Sequence, residues 1–245
     1  MIPDWQLPPG VDRGLWDYLQ ATEMIAGYDE AITQSPLARA DVAFCERVFP
    51  TAGRLVDLGC GTGRLCRHFA RKGYECVGID LSDAMLAQAR EAAQGLAIHF
   101  QKANLVELDD IPSASFDYAA CLFSTLGMVR GADHRKAVVL HIHRLLLPGG
   151  RLVLHVHNRF FRGLGWKRVF AQRLRWLLGR SDAGDLTMPQ AYGGSPLTLH
   201  HFTRSEAVSL LEQAGLTVRE VLAVGPDGLP ARRSRIYGWL LLGER

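Results

Sequence analysis

Residues 54 to 65 read RLVDLGCGTGRL: a short aliphatic run ends beside an acidic residue and breaks into three glycines spaced two apart, after which helical periodicity begins. That order predicts a strand, a tight turn and a helix. Asp57, Gly59, Gly61 and Gly63 fall at the strand-to-helix junction, where the lack of Cβ atoms lets the backbone turn sharply and approach a ligand. The spacing is not that of a dinucleotide turn, because G-x-G-x-x-G needs Gly or Ala at position 64, where Arg64 stands. Gly-x-Gly-x-Gly preceded by an acidic strand end suits a ligand that carries an ammonium and a carboxylate rather than a pyrophosphate.

Working outward, ECVGID (75–80), IHFQKA (98–103), FDYAACLF (116–123) and RLVLHVH (151–157) are further short β-type runs. Helical stretches near 63–71, 83–94 and 133–146 separate several of them. Strands buried on both faces and joined by crossover helices read as a parallel, doubly wound α/β sheet. Upstream, 13–32 and 36–49 read as amphipathic helices, the second with Ser35 as N-cap and Pro36 at its first position. Downstream, residues 159–202 interrupt the rhythm before TRSEAVSLLEQAG, a helix opened by a Thr203/Glu206 capping box and closed by Gly215. LTVREVLAV (216–224) and SRIYGWLLLG (234–243) read as two final strands. The reading is one domain: a helical cap (1–50), a ligand-binding core (51–158), a lid or substrate insert (159–202), and a closing helix and strands (203–245). An insert of that length inside a compact domain is a candidate lid.

With 245 residues, 48% hydrophobic and 22% charged, the chain has the composition of an ordinary globular protein. Its net charge of +3 is too small to imply nucleic-acid binding except through clustering. The N-terminal MIPDWQLPPG has no basic segment followed by an apolar one, and about 18 consecutive apolar residues occur nowhere, so a cytoplasmic protein without a transmembrane segment is expected. The five cysteines form no CxxC pair and read as reduced thiols.

The stretch VDLGCGTG resembles the first motif of the class I S-adenosylmethionine-dependent methyltransferases, of the small-molecule type, and the likeness extends over roughly residues 40–245. The resemblance implies a Rossmann-like sheet of seven strands in the order 3-2-1-4-5-7-6, the last antiparallel, with N-terminal helices and an inserted lid after strand 5. It implies S-adenosylmethionine as methyl donor, leaving S-adenosylhomocysteine. The backbone of Gly59, Cys60, Gly61 and Gly63 then cradles the methionine moiety, with Asp57 closing the turn. Asp80 stands where the ribose hydroxyls are bound, Leu81 and Met85 near the adenine, and Asn104, with Leu105, where the adenine amino group is met. Asn104 replaces the commoner Asp, and its carbonyl can still accept that hydrogen bond. Leu122 completes this set.

Methyl transfer from a sulfonium is an in-line displacement that alignment can drive, with a base needed only where the acceptor holds a proton. Acceptors in such folds lie at the carboxyl ends of the fourth and fifth strands. CLFSTLG at the fourth lacks the (Asp/Asn)-Pro-Pro-(Tyr/Phe) of exocyclic-nitrogen methylation, the Pro-Cys of cytosine C5 methylation and the terminal Asp of magnesium-dependent catechol enzymes, which leaves a small-molecule acceptor methylated on O, N or C. His155 and His157 share one strand face. Without a third ligand at clear spacing they make a poor metal motif, and no metal is expected. His157, helped by Asn158, is the candidate that orients or deprotonates the acceptor, the alternative being packed histidines. His200, His201 and Tyr192 mark a second candidate edge, with His201 a candidate catalytic group.

Between Arg159 and Arg180 stand seven basic residues and no acidic one, interleaved with five aromatics. Residues 166, 169, 170, 174, 177 and 178 fall on one helical arc, which predicts an amphipathic helix whose apolar face covers the active site or meets a partner or membrane surface. An RNA- or lipid-directed enzyme, or a non-catalytic cofactor-binding module, are the alternatives this cluster keeps open. The oligomeric state is not legible.

Overall fold

A computed structural model describes residues 3–21, 29, 32–180, 182–188 and 196–245. Its centre is a sheet built from β1 (Arg54–Leu58), β2 (Glu75–Asp80), β3 (Ile98–Lys102), β4 (Phe116–Cys121), β5 (Leu146–His157), β8 (Thr217–Val224) and β9 (Gly238–Glu244). The order is β3-β2-β1-β4-β5-β9-β8. β1 to β5 pair in parallel, and β9 runs antiparallel between β5 and β8. A separate hairpin, β6 (Asp185–Met188) with β7 (Leu197–His200), lies in the insert. With that hairpin counted apart, the order is the 3-2-1-4-5-7-6 expected from sequence.

The helices are α1 (Arg13–Gln20), α2 (Pro36–Val48), α3 (Arg64–Ala70), α4 (Asp83–Ala92), α5 (Thr125–Met128), α6 (Ala132–Leu145), α7 (Trp166–Leu177) and α8 (Arg204–Gln213). Strand alternation divides the core into two layers. Val56, Ala119, Leu152, Leu154 and Val156 point to one face with Val138 and Ile142 of α6 and Leu211 of α8. Leu55, Ala120 and Val153 point to the other with Phe44 and Val48 of α2, Phe69 of α3 and Leu86 of α4. The central strands β1, β4 and β9 are largely buried toward both layers, as a sheet covered on both sides requires, whereas the edge strands β3 and β8 are partly exposed.

Several boundaries differ from the sequence reading. The first helix ends at Gln20, because Ala21 leaves helical geometry at ψ 85°, and most of the remainder of 22–32 lies outside the described residues. Ser35 precedes Pro36 as expected, yet its side chain makes no capping hydrogen bond. The last strand starts at Gly238 rather than 234, since Arg233–Arg235 form a short 3-10 turn. The Thr203/Glu206 capping box is complete: Thr203 Oγ1 accepts from Glu206 N at 3.1 Å, and Glu206 Oε2 accepts from Thr203 N at 3.3 Å. Thr203→Ala removes the hydroxyl half of this cap and is expected to cost about 1 kcal/mol, read as a fall of about 2–4 °C in the thermal midpoint. An unchanged midpoint would mean that tertiary packing alone holds the start of α8.

The hairpin and the N-terminus meet. Leu197 and Leu199 of β7 pack with Leu15 and Tyr18 of α1, and Arg130 bridges Asp12 at 3.1 Å and Asp185 at 3.0 Å. Asp12 also caps α1 by accepting from Leu15 N at 2.9 Å. The insert therefore holds the N-terminal cap down on the carboxyl end of the sheet, while α7 stands outside that contact.

Candidate functional site

The turn after β1 is built on three left-handed glycines, Gly59 (φ 79°), Gly61 (φ 54°) and Gly63 (φ 74°). A Cβ on Gly59 would sit 2.3 Å from Thr125 Cγ2, and one on Gly63 would sit 2.7 Å from the Phe100 ring. No other residue fits either place. Gly59 N and Cys60 N both donate to Ile79 O, at 2.8 and 3.0 Å, which clamps the turn against β2. Asp80, at the end of β2, accepts from Gly61 N at 2.8 Å and Ser82 N at 2.9 Å. Burial pushes the Asp80 carboxyl up from its ordinary value, with the Ser82 and Gly61 N–H groups pulling the other way. Ser82 caps α4 and donates to Leu19 O at 2.8 Å, joining this corner to the N-terminal cap.

Two cavities meet over the turn. The first, with about 760 Å³ of empty space, is floored by Gly59, Gly61, Asp80, Leu81, Met85 and Leu105, and roofed by Val11, Leu15, Tyr18 and Leu19. Asn104 borders it: its Nδ2 donates to Pro9 O at 2.9 Å and to Glu107 at 3.0 Å, and its Oδ1 accepts from Val106 N at 3.2 Å. Asn104 thus ties the N-terminal segment down, and its carbonyl keeps one lone pair for a ligand. The second cavity, with about 530 Å³ of empty space, shares Gly59, Gly61, Thr125 and Met128 with the first and adds Asp57, Thr62, Arg64, Leu122 and Phe123. Burial raises the Asp57 carboxyl to about 7, the nearby Arg64 guanidinium lowering it and the Asp80 carboxylate raising it. Beside the turn, Asp29 accepts from Thr62 Oγ1 at 2.6 Å and from Arg67 Nη2 at 2.7 Å.

Every residue of the expected cofactor set lines one of these cavities except Gly63, which makes the turn from below. Their donors and shapes suit S-adenosylmethionine: a carboxylate at Asp80 for paired hydroxyls, an apolar slot of Leu81, Met85 and Leu105 for a flat base, and a side-chain-free cradle leading to a buried carboxylate for an amino-acid end. A helical cap is expected from sequence without its residues named; Leu15, Tyr18 and Leu19 reach the cleft through α1, whose amphipathic pattern is the signal, and Val11 from the segment just before it. Thr125 belongs to the fourth-strand end where an acceptor is expected, whereas Met128 and Val129 were missed. The chain turns into α5 through two consecutive positive-φ residues, Phe123 (51°) and Ser124 (62°), which neither residue type announces.

The histidines are elsewhere. His155 and His157 lie on the α2 face of β5, and neither lines the two cavities. His155 Nδ1 stands 2.7 Å from Asp41 Oδ1, both side chains fully buried, in an approach outside hydrogen-bonding geometry. His157 packs against Tyr237 (ring centroids 4.7 Å), His201 (5.4 Å) and Phe123 (6.3 Å), so Phe123 stands between it and the second cavity. Burial holds the His157 imidazole well below its ordinary range, helped by His155 and His201. Asn158 spends its amide on the backbone, donating to Ile236 O at 2.8 Å and accepting from Phe160 N at 3.0 Å. His201 is buried, with a pKa pushed down to about 4 by that burial. His200 is buried in an ion cluster, 2.7 Å from Asp185 and from Glu206, which Arg159 also contacts at 2.5 Å. The expectation that His157 and Asn158 meet an acceptor directly is therefore corrected: the side-chain packing turns them away from the cleft. Tyr192 lies outside the described residues.

A family model described as a methyltransferase domain matches residues 55–150. A Geobacillus sp. protein with a provisional methyltransferase name is 34% identical over 111 residues, 44% of either chain. This chain spans about half the length of the first curated relatives it matches. The demethylmenaquinone methyltransferase of Thermus thermophilus is 34% identical over 181 residues, 70% of this chain and 78% of that one. The crystal structure of the Burkholderia thailandensis 1,6-didemethyltoxoflavin-N1-methyltransferase, bound to 1,6-didemethyltoxoflavin and S-adenosylhomocysteine, shares the fold: TM-score 0.63 at 18% identity, over 98% of this chain and 92% of that one.

Proposed function

The chain belongs to the class I S-adenosylmethionine-dependent methyltransferases, and from that premise we propose that it methylates a small, largely apolar acceptor held beside the end of β4. The observation that carries this reading is the second cavity: about 530 Å³ of empty space beside the glycine turn, bordered at the end of β4 by Leu122, Phe123, Thr125 and Met128, is the size of a small-ligand pocket. The arginine-lined surface of the insert shares no residue with either cavity, which supports a small acceptor over RNA. The Thermus relative, named for a demethylated menaquinone, is a guide to acceptor class: a ring with an apolar body.

In this reading Asp80 binds the ribose, Leu81, Met85 and Leu105 hold the adenine, and Gly59, Cys60 and Gly61 carry the amino-acid end toward Asp57. When bound, S-adenosylmethionine supplies a methyl group made electrophilic by its sulfonium. The chain's own residues contribute alignment and exclusion of water. Leu122, Phe123, Thr125 and Met128 border the space for the acceptor, and the strained backbone at Phe123 and Ser124 fixes their direction. His157 acts through Phe123, as packing that holds the ring in place.

The test is incubation with radiolabelled S-adenosylmethionine and demethylated quinone or phenol acceptors, followed by organic extraction. Label in an extractable small product is expected. Label recovered in RNA or protein, or no binding of S-adenosylhomocysteine by calorimetry, would overturn the reading.

A further inference from the structure

Helix α7 is turned inside out. Its buried residue is Gln172, which accepts from Gly184 N at 2.8 Å and donates to Asp185 O at 3.2 Å. The apolar residues of one arc face away: Trp166 is 75% exposed, Phe170 64%, Leu174 48%, Leu177 73% and, at the helix end, Leu178 67%. At 100° per residue, Trp166, Phe170, Leu174 and Leu177 span about 80° of the helix surface, centred roughly 140–160° from Gln172. Of the two orientations expected from sequence, this excludes an apolar face covering the active site and leaves one turned outward toward a partner or membrane surface. The hydrogen bonds of Gln172 fix the helix with its polar side inward.

Cations surround the outward arc. Lys167 Nζ lies 5.7 Å from the Trp166 ring centroid, and the Arg173 guanidinium 5.7 Å from that of Phe160. Beside the helix, Arg162, Arg173, Arg204 and Arg233 line one groove with Thr203 and Ser234. Among the described residues, none of these four arginines, nor Lys167 or Arg168, pairs with a carboxylate. Arg233 keeps its place at a positive φ of 52°.

We propose that α7 and this arginine groove dock the protein on an anionic phospholipid surface. The apolar arc enters the acyl boundary while Lys167 and Arg173, which flank it, reach back to headgroup phosphates, as long cationic side chains do at such an interface. The groove receives phosphate oxygens from neighbouring headgroups. Two other occupants fit less well. A second copy of the chain would bring two sets of these cations together. Single-stranded RNA stacks on aromatic planes, whereas Leu174, Leu177 and Leu178 offer it no stacking surface. No described helix is long and apolar enough to cross a membrane, so this contact would lie on the surface.

The experiment is sedimentation of the full chain with phosphatidylcholine vesicles, with or without phosphatidylglycerol, while tryptophan emission is recorded. Expected are at least about tenfold tighter binding to the anionic vesicles, weakening with salt, and a blue shift as Trp166 leaves water. Two variants separate the parts: Phe170→Ser with Leu174→Ser removes the apolar anchor, and Arg162→Glu with Arg173→Glu removes the charge. Both are expected to lose vesicle binding while keeping the wild-type melting temperature, since all four side chains are exposed. The proposal is overturned by no retention on anionic vesicles, by retention that both variants keep, by capture of single-stranded RNA without vesicle binding, or by self-association that the Phe170/Leu174 variant abolishes without vesicle binding.

Discussion

Gly59→Ala is expected to weaken S-adenosylhomocysteine binding by two orders of magnitude or more, while Gly149→Ala leaves it unchanged. Both glycines sit at φ 79°, so both substitutions carry the same left-handed backbone cost of about 1–2 kcal/mol. They differ in what the new methyl group meets. At Gly149 nothing lies within 4 Å. At Gly59 the methyl carbon would fall 2.3 Å from Thr125 Cγ2, and Thr125 is itself tied by a 2.8 Å hydrogen bond to Leu122 O. Either the glycine turn or the turn into α5 must move, and these are the two walls shared by both cavities. The stability loss common to the two variants, read by chemical denaturation, isolates the backbone term. The affinity loss confined to Gly59→Ala, read by calorimetry, isolates the cradle. Equal affinities in the two variants would show that the glycine turn does not bear on the ligand.

The contrast also explains how far the sequence could be read. Gly59, Gly61 and Asp80 were legible because their roles are local: a left-handed turn restricts residue type, and a strand end fixes where a carboxylate stands. The parallel core was legible because residues such as Leu55 and Val56 are apolar toward both layers, a pattern with few alternatives. The orientation of α7 was not. Helical periodicity shows that Trp166, Phe170, Leu174 and Leu177 share an arc, but which side packs on the domain is set by Gln172 meeting Gly184 and Asp185, a contact that no spacing encodes. His155 and His157 were correctly placed on one strand face. Which of the two faces that is depends on the α2 side of the sheet, where Asp41 waits, and so on long-range packing. The cleft roof was illegible for the same reason: Leu15 and Tyr18 reach it because Arg130, the β6–β7 hairpin, Ser82 and Asn104 hold the N-terminal segment there.

Asp57→Asn is expected to make the free protein more stable at pH 8 and a poorer ligand binder, with opposite signs for the two effects. The Asp57 carboxyl, raised by burial to about 7 against an ordinary value of about 3.9 in an unfolded chain, binds its proton more tightly folded than unfolded. Between those values the unfolded chain has released the proton and the folded one retains it. Stability is therefore highest at the acid end of the window, declines as pH rises from about 4 to about 7, and levels off above. A shift of about three units sets an upper bound of about 4 kcal/mol on the decline. Asparagine carries no charge at any pH, so the variant gains up to that amount over the wild type at pH 8 and little near pH 4. The wild-type carboxylate is what the site holds for a cationic ligand group: S-adenosylhomocysteine should bind more tightly as pH rises through about 7, releasing a proton below it, and the variant should bind weakly with a flat profile. Urea denaturation of both proteins at pH 4.5 and 8, with calorimetry in buffers of different ionisation enthalpy, reads both halves. A stability difference that is the same at the two pH values would mean that Asp57 is ionised throughout, and that the buried carboxylate costs the fold nothing that asparagine could relieve.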